Sequence, residues 1–399
     1  MAEGPAAAAE LPQSLGLQPF RPRRPWLSGD LQTLRDSLRP VTLPPEAGVP
    51  LEIPVPPPPG AAAQAGISAS ATDRLLAFLD PPLSADGQPL GLVLLMHGLG
   101  GSSRRSGLRR MGDTLQRAGF AVLRLNMRGA GPGRALARGT YSARCNSDLL
   151  PAIARARAIA DGLAPGGRPL LGMGISLGGT KLLNALLADA DGVAEALNAA
   201  QWPTSLPTRR PLLDGLVCIS SPLDLVACSQ QIERPRNRFY QRWLLWRLCV
   251  QTAADPFGLP ANEREALDGR SALGPLGSIR AFDAAITAPR WGYGSVEAYY
   301  QDASPLPRLL AAGGSSPGLP PLPPALIVHA ADDPWVPAAA AEQLAASDLA
   351  AGRGGPWRVL ITAGGGHNGF HASCDAPGGL GGCWGDRLTA RWLRQLVGA

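Results

Sequence analysis

From residue 73 onward, apolar residues fall in short unbroken blocks separated by mixed stretches. GLVLLMHG (91–98), FAVLRLN (120–126), RPLLGMGI (168–175), LLDGLVCIS (212–220), PPALIVHA (323–330) and WRVLIT (357–362) lack alternation. That is the pattern of strands buried on both faces. DRLLAFLD (73–80) reads as an earlier strand. Between the blocks lie amphipathic or Ala-rich stretches at 104–118, 146–163, 177–188, 338–347 and 384–397, which read as helices. Strand and helix in this succession predict an α/β fold with a mostly parallel central sheet, covered by helices on both faces.

The rhythm breaks twice. Residues 222–305 are rich in Arg and Trp, include RFYQRWLLWRL (238–248), and read as a helical insertion above the sheet. Upstream, nine prolines fall between residues 40 and 59, which predicts an extended or polyproline segment excluded from the regular core. Residues 20–39 mix aromatics with a short amphipathic stretch, and residues 1–19 are expected to fray. The expected division is a Pro-rich extension (1–60), a core in two parts (61–221 and 306–399) and a helical cap (222–305). No internal repeat is present.

Composition mainly excludes. With 399 residues, 45 % of them hydrophobic, the chain can bury a large core, so global disorder is ruled out. The net charge is +6, but Lys181 is the only lysine among 37 basic residues. No dense basic run interleaves with aromatics, so no nucleic-acid partner is expected. The six cysteines (Cys145, Cys218, Cys228, Cys249, Cys374, Cys383) form no CxxC pair, which predicts neither a zinc site nor a disulfide framework. The first residues lack the pattern of a secretory signal, and no apolar run reaches 18 residues. The expectation is a soluble cytoplasmic protein, its oligomeric state open.

Three segments carry candidate chemistry. Gly174-Ile-Ser176-Leu-Gly178 lies between a buried strand and a helix. Glycines on either side permit a sharp turn that exposes a serine, and the new helix aims backbone N–H groups at a developing oxyanion. The bland reading is an ordinary tight strand-to-helix turn. A dinucleotide fingerprint, from Gly172 to Gly178, fails because no second strand ending in an acid follows. His97-Gly-Leu-Gly-Gly101, after another strand, places backbone N–H groups where a second oxyanion donor is needed. His97 itself reads as structural, and the Arg104-Arg105 pair keeps phosphate binding as the rival. Finally, HAADDPWVP (329–337) and GGGHNGFH (364–371) each follow a late strand and complete the order Ser…Asp…His. Among four histidines His367, flanked by glycines, is the best base for Ser176. Asp333 is preferred over Asp332 as its partner, because the acid just before Pro334 points off the strand end.

With these residues the chain resembles the α/β-hydrolase superfamily and, within it, the YheT-like (AB hydrolase 4) family. The resemblance rests on Pro25-Trp-Leu27…Leu31-Gln-Thr33, His97 to Ser103, Leu125-Asn-Met-Arg-Gly129, Gly174 to Gly179, Tyr299-Tyr300, His329 to Pro334 and Gly366-His367…Gly369-Phe370. It spans residues 20 to 395. Where relatives carry a Tyr-His-Ser-Gly-like stretch, this chain has Tyr141-Ser-Ala-Arg144. The resemblance implies a sheet of about eight strands and a serine hydrolase acting on carboxylic esters, from small esters to acylglycerols and phospholipids. It puts Ser176, Asp333 and His367 at the nucleophile, acid and base positions. Leu99 and Leu177 N–H groups would form the oxyanion hole, with no cofactor and no metal. Thioester or amide hydrolysis on the same site, or a silent lipid- or partner-binding role, are the alternatives. In the cap, Trp243, Leu244, Leu245 and Trp246 either line an acyl pocket or bury the cap itself. Arg234, Arg236 and Arg238 suit either solvent or peripheral contact with anionic lipid headgroups.

Overall fold

The computed structural model describes residues 5–39, 41–60, 73–83, 88–202, 211–268, 276–313, 321–351, 357–376 and 381–399. Its sheet has eight strands: β1 (Val49–Val55), β2 (Asp73–Asp80), β3 (Leu92–Met96), β4 (Ala121–Leu125), β5 (Leu170–Ile175), β6 (Gly215–Ile219), β7 (Ala325–Ala330) and β8 (Trp357–Thr362). Their order is β1-β2-β4-β3-β5-β6-β7-β8. β2 runs antiparallel to both β1 and β4, and every other pairing is parallel. This is the expected α/β-hydrolase architecture.

The unbroken apolar blocks have a direct cause. Leu92, Leu94 and Met96 of β3 enter one core, while Val93 and Leu95 enter the other. Helices cover both faces, so neither parity of a central strand can be polar. Helix α1 spans Pro5–Ser14, α2 Gly29–Leu38, α3 Ser106–Arg117, α4 Asn146–Gly162, α5 Leu177–Leu186 and α6 Ala190–Ala199. The first core takes apolar residues from α4, α5 and α6, and the second from α3 and the final helix. Between β6 and β7 come α7 (Leu225–Ile232), α8 (Arg238–Ala253), α9 (Ala261–Asp268), α10 (Val296–Ala303) and α11 (Leu306–Gly313), with shorter helical turns. After β7 come α12 (Ala339–Ala345) and α13 (Trp384–Leu396). None of the described helices is long and apolar enough to cross a membrane.

Two sequence expectations fail. The Pro-rich stretch 40–59 contains β1, whose Ile53 and Val55 are fully buried. An edge strand tolerates proline where its N–H would face away from the partner. Pro50 and Pro54 share one parity, the spacing that sends both missing donors to the unpaired side. The N-terminal segment does not fray over its described length. It forms α1 and then buries Leu15 and Leu17 in the second core. Arg391 of α13 donates to the Leu15 and Gly16 carbonyls, and Trp384 Nε1 to Gln18 O, so the segment is held by its backbone. Residues 1–4 and 61–72, covered by the expected divisions, lie outside the described residues.

Candidate active site

The polar loops of interest all leave the C-terminal ends of neighbouring parallel strands, where α/β sheets gather their ligands. At the β5–α5 turn Ser176 takes φ +53°, a left-handed conformation unusual for a residue with a side chain. The flanking glycines are dictated by space. A Cβ on Gly174 would sit 2.2 Å from Gly179 N, and one on Gly178 would sit 2.6 Å from Met96 O. The turn therefore holds the serine at one fixed point beside β3. Ser176 N–H donates to Ile219 O at 2.8 Å, tying it to β6.

His367 Nε2 lies 2.9 Å from Ser176 Oγ, and His367 Nδ1 lies 2.9 Å from Asp333 Oδ2. The other Asp333 oxygen accepts from Trp335 N–H (2.8 Å) and Val336 N–H (3.0 Å), which fixes the carboxylate plane. Asp332 takes a different part. Its Oδ1 accepts from Gly366 N–H at 2.8 Å and braces the histidine loop. The structure thus brings Ser176, His367 and Asp333 together and turns Asp332 away from the imidazole. The remaining histidines are engaged elsewhere. His97 places Nδ1 2.8 Å from Gly98 O, and its Nε2 accepts from Met127 N–H at 3.2 Å. Burial, reinforced by Lys181, lowers its pKa to about 3, so it stays neutral and holds the loop. His329 lies against Val336 O and His371 against Asp36.

Leu99 and Leu177, the expected oxyanion donors, both border the cavity that opens over Ser176 and His367. The loop bearing Leu99 is gripped from two sides. Gly100 N–H donates to the Tyr141 hydroxyl at 2.7 Å, and its carbonyl accepts from Arg247 Nε of α8 at 2.9 Å. Lys181 Nζ sits 3.7 Å from the centroid of the same Tyr141 ring. Lys181 is fully buried, and its Nζ finds no hydrogen-bond partner among the described residues. Burial lowers its pKa to about 8, with Cys145 and Asp148 opposing the shift.

Several contributors were invisible in the sequence. Trp335 packs its ring 4.4 Å from that of His367. Thr33 Oγ1 accepts from His367 N–H at 2.8 Å, and Ser220 Oγ accepts from Asn368 N–H at 3.1 Å. Gln32 bridges the Trp26 carbonyl to both the N–H and carbonyl of His371. Arg128 is buried between Asp148 and Asp73. The motifs PWL…LQT and LNMRG carry Trp26, Gln32, Thr33 and Arg128, and only the tertiary contacts give their roles.

The cavity measures about 330 Å³ and is walled by apolar residues including Ile232, Trp243, Leu244, Leu248, Ile279 and Phe282. Trp246 and Leu245 are not among its walls: Trp246 faces outward, 60 % exposed, and Leu245 is buried with Leu248, Phe282 and Ile286. Asp283 faces the same space. Asp283 accepts from the Tyr300 hydroxyl at 2.8 Å, and burial raises its pKa from 3.8 to about 6. The native state therefore binds more protons than the unfolded chain between those values, and it loses stability as pH rises through that window. Asp283→Asn is expected to raise stability by on the order of 1–3 kcal/mol at pH 8, with the gain vanishing below about pH 4. Urea unfolding at the two pH values measures it.

Comparison with known proteins gives relatives in sequence. Mouse Phospholipase ABHD3 is 29 % identical over 314 residues, which covers 77 % of this chain and 63 % of that protein. YheT from Escherichia coli (strain K12) is 32 % identical over 175 residues, 43 % of this chain and 42 % of its own. The chain spans less than two thirds of the length of these curated relatives. No protein-family model matches it. Among solved structures, a soluble variant of monoglyceride lipase from Saccharomyces cerevisiae aligns with 82 % of this chain and 91 % of that one. The identity there is 16 % and the TM-score 0.47.

Proposed function

We propose that this chain is an α/β-hydrolase of the YheT-like kind, a serine hydrolase that cleaves carboxylic esters through an acyl-enzyme on Ser176. The relay of two 2.9 Å contacts, Ser176 to His367 to Asp333, is the observation that carries this reading. A serine hydroxyl is a poor nucleophile at neutral pH without a base. In the proposed cycle His367 Nε2 accepts the Ser176 proton as Oγ attacks the ester carbonyl. Asp333 accepts from Nδ1–H, keeps the tautomer that leaves Nε2 free, and stabilises the imidazolium. The carbonyl oxygen takes up negative charge between the Leu99 and Leu177 N–H groups. The imidazolium then protonates the leaving alcohol, and a water activated by the same His367 releases the acid and restores Ser176.

Residues 222–305 act as the cap, and the apolar wall around Trp243, Leu244 and Leu248 receives the acyl chain. A cavity of this size and lining favours medium chains, roughly C4 to C10, over acetate. Each buried methylene adds about 0.8 kcal/mol, so a few raise kcat/KM roughly ten- to a hundredfold. A p-nitrophenyl ester series run beside a monoacylglycerol and a phospholipid tests both chemistry and chain length, with thioester and amide analogues alongside. Trp243→Ala and Leu248→Ala are expected to flatten the profile while sparing acetate. An equal loss on every ester would show that these side chains support the cap and never meet the acyl chain. Covalent labelling by a fluorophosphonate separates an activated serine from a silent binding fold.

A further inference from the structure

Twelve large apolar side chains are exposed among the described residues, and eight of them fall on two helical stripes. On α2 and the residue before its cap these are Leu27, Leu31, Leu34 and Leu38. On α8 they are Phe239, Trp243, Trp246 and Val250. Both sets follow the spacing i, i+4, i+7, i+11. At 100° per residue that spacing confines the four side chains of α8, and the three that lie within α2 (Leu31, Leu34 and Leu38), to an arc of about 60°, so each helix shows a narrow apolar edge. Phe239 is 88 % exposed and Leu38 58 %, values too high for side chains resting in local grooves.

The stripes are neighbours, and they flank one opening. Asp30 of α2 pairs with Arg236 at 2.9 Å and accepts from the Tyr240 hydroxyl of α8 at 3.1 Å. Other residues of the same helices, Gln32, Thr33, Asp36 and Ser37 on α2 and Trp243, Leu244, Leu248 and Gln251 on α8, wall the cavity above Ser176. α2 therefore turns one side to the cavity and a separate apolar edge outward, whereas on α8 Trp243 belongs to both and stands where the edge meets the cavity.

Charge selects the occupant. α8 holds Arg238, Arg242 and Arg247 and no acidic residue, and exposed Arg234 and Arg236 precede it. The Arg105 guanidinium lies 5.8 Å from the Trp243 ring. A second copy of the chain meeting this face on itself would bring the α8 arginines together without carboxylates from that helix to pair them. A membrane surface offers apolar depth for the stripes and phosphate oxygens for the guanidiniums, the arrangement of an interfacial helix. We propose that the α2 and α8 edges dock this protein on an anionic lipid surface, with the cavity mouth at the interface. Delivery of ester substrate from that surface rests on the hydrolase reading above, whereas docking itself is measured without turnover.

The test is flotation of full-length Ser176→Ala with phosphatidylcholine vesicles, with and without an anionic phospholipid. The chain is expected to float with the anionic vesicles, and added salt is expected to weaken it. Phe239→Ser with Trp246→Ser, and separately Leu31→Ser with Leu34→Ser, should each lower the partition at least roughly tenfold. Both pairs avoid the cavity wall, so in the Ser176 background hydrolysis of a dissolved p-nitrophenyl ester is expected to stay unchanged while hydrolysis of vesicle-borne ester falls. Arg238→Glu with Arg242→Glu, which leaves the stripes intact, should abolish the preference for anionic vesicles. The proposal is overturned if the parent chain fails to float, or if neither stripe variant changes flotation. A dimer in sedimentation velocity that the same substitutions dissociate would overturn it equally, by assigning the face to a second copy.

Discussion

Ser176→Ala should leave a folded protein whose kcat on carboxylic esters has fallen by roughly 10⁴- to 10⁶-fold. Alanine keeps the turn sterically possible, because the side chain it replaces already sits at φ +53° with a Cβ in place. What disappears is the atom proposed to form the acyl bond. The residual rate is that of an oxyanion site with no nucleophile, and His367→Ala should fall to a similar floor, since the two act as a unit. Burst kinetics and mass spectrometry with a slow ester check the same point from the other side, by finding or failing to find acyl mass on Ser176. Retention of more than about a tenth of the parent rate by the alanine variant would refute the triad.

The two adjacent acids should differ sharply. Asp333→Asn should cost on the order of 10⁴-fold in kcat, and Asp332→Asn no more than about tenfold. Asp333 faces His367 Nδ1 with one oxygen while the other is held by two backbone N–H groups. An asparagine there can turn its amide toward Nδ1 and so favour the tautomer in which Nε2 carries the proton and cannot act as base. Asp332 only accepts from Gly366 N–H, a bond that an asparagine oxygen reproduces. Steady-state kinetics of the pair, at matched thermal stability, decide the matter. Equal losses would remove the assignment of Asp333 as the partner of His367.

Much of this site could be read in the chain because its parts are local. Ser176 is marked by glycines, and the steric reason for one of them, Gly174, lies five residues on at Gly179, whereas that for Gly178 lies on β3. The buried strands are marked by two-sided burial, which erases alternation. The triad order follows from which loops leave which strands. What stayed hidden is contact between distant segments. Nothing near Thr33 says that its hydroxyl receives the His367 amide, and nothing in α8 says that Arg247 reaches the Gly100 carbonyl. β1 was hidden for another reason. Its prolines contradict a central strand but not an edge strand, and edge position is a property of the whole sheet.

The burial of Lys181 beneath Tyr141 reaches beyond the site. With its one ε-amine enclosed, the folded protein is closed to chemistry that requires an accessible lysine, including acetylation, methylation, glycation and isopeptide attachment to that side chain. Every cationic side chain left on its outer surface at alkaline pH is a guanidinium, because the only other basic residues are arginines. Guanidiniums keep their charge to about pH 12 and beyond. The side-chain cations that face outward are thus insensitive to the alkaline range over which lysine-rich surfaces discharge, and whatever they attract at neutral pH they still attract at pH 10.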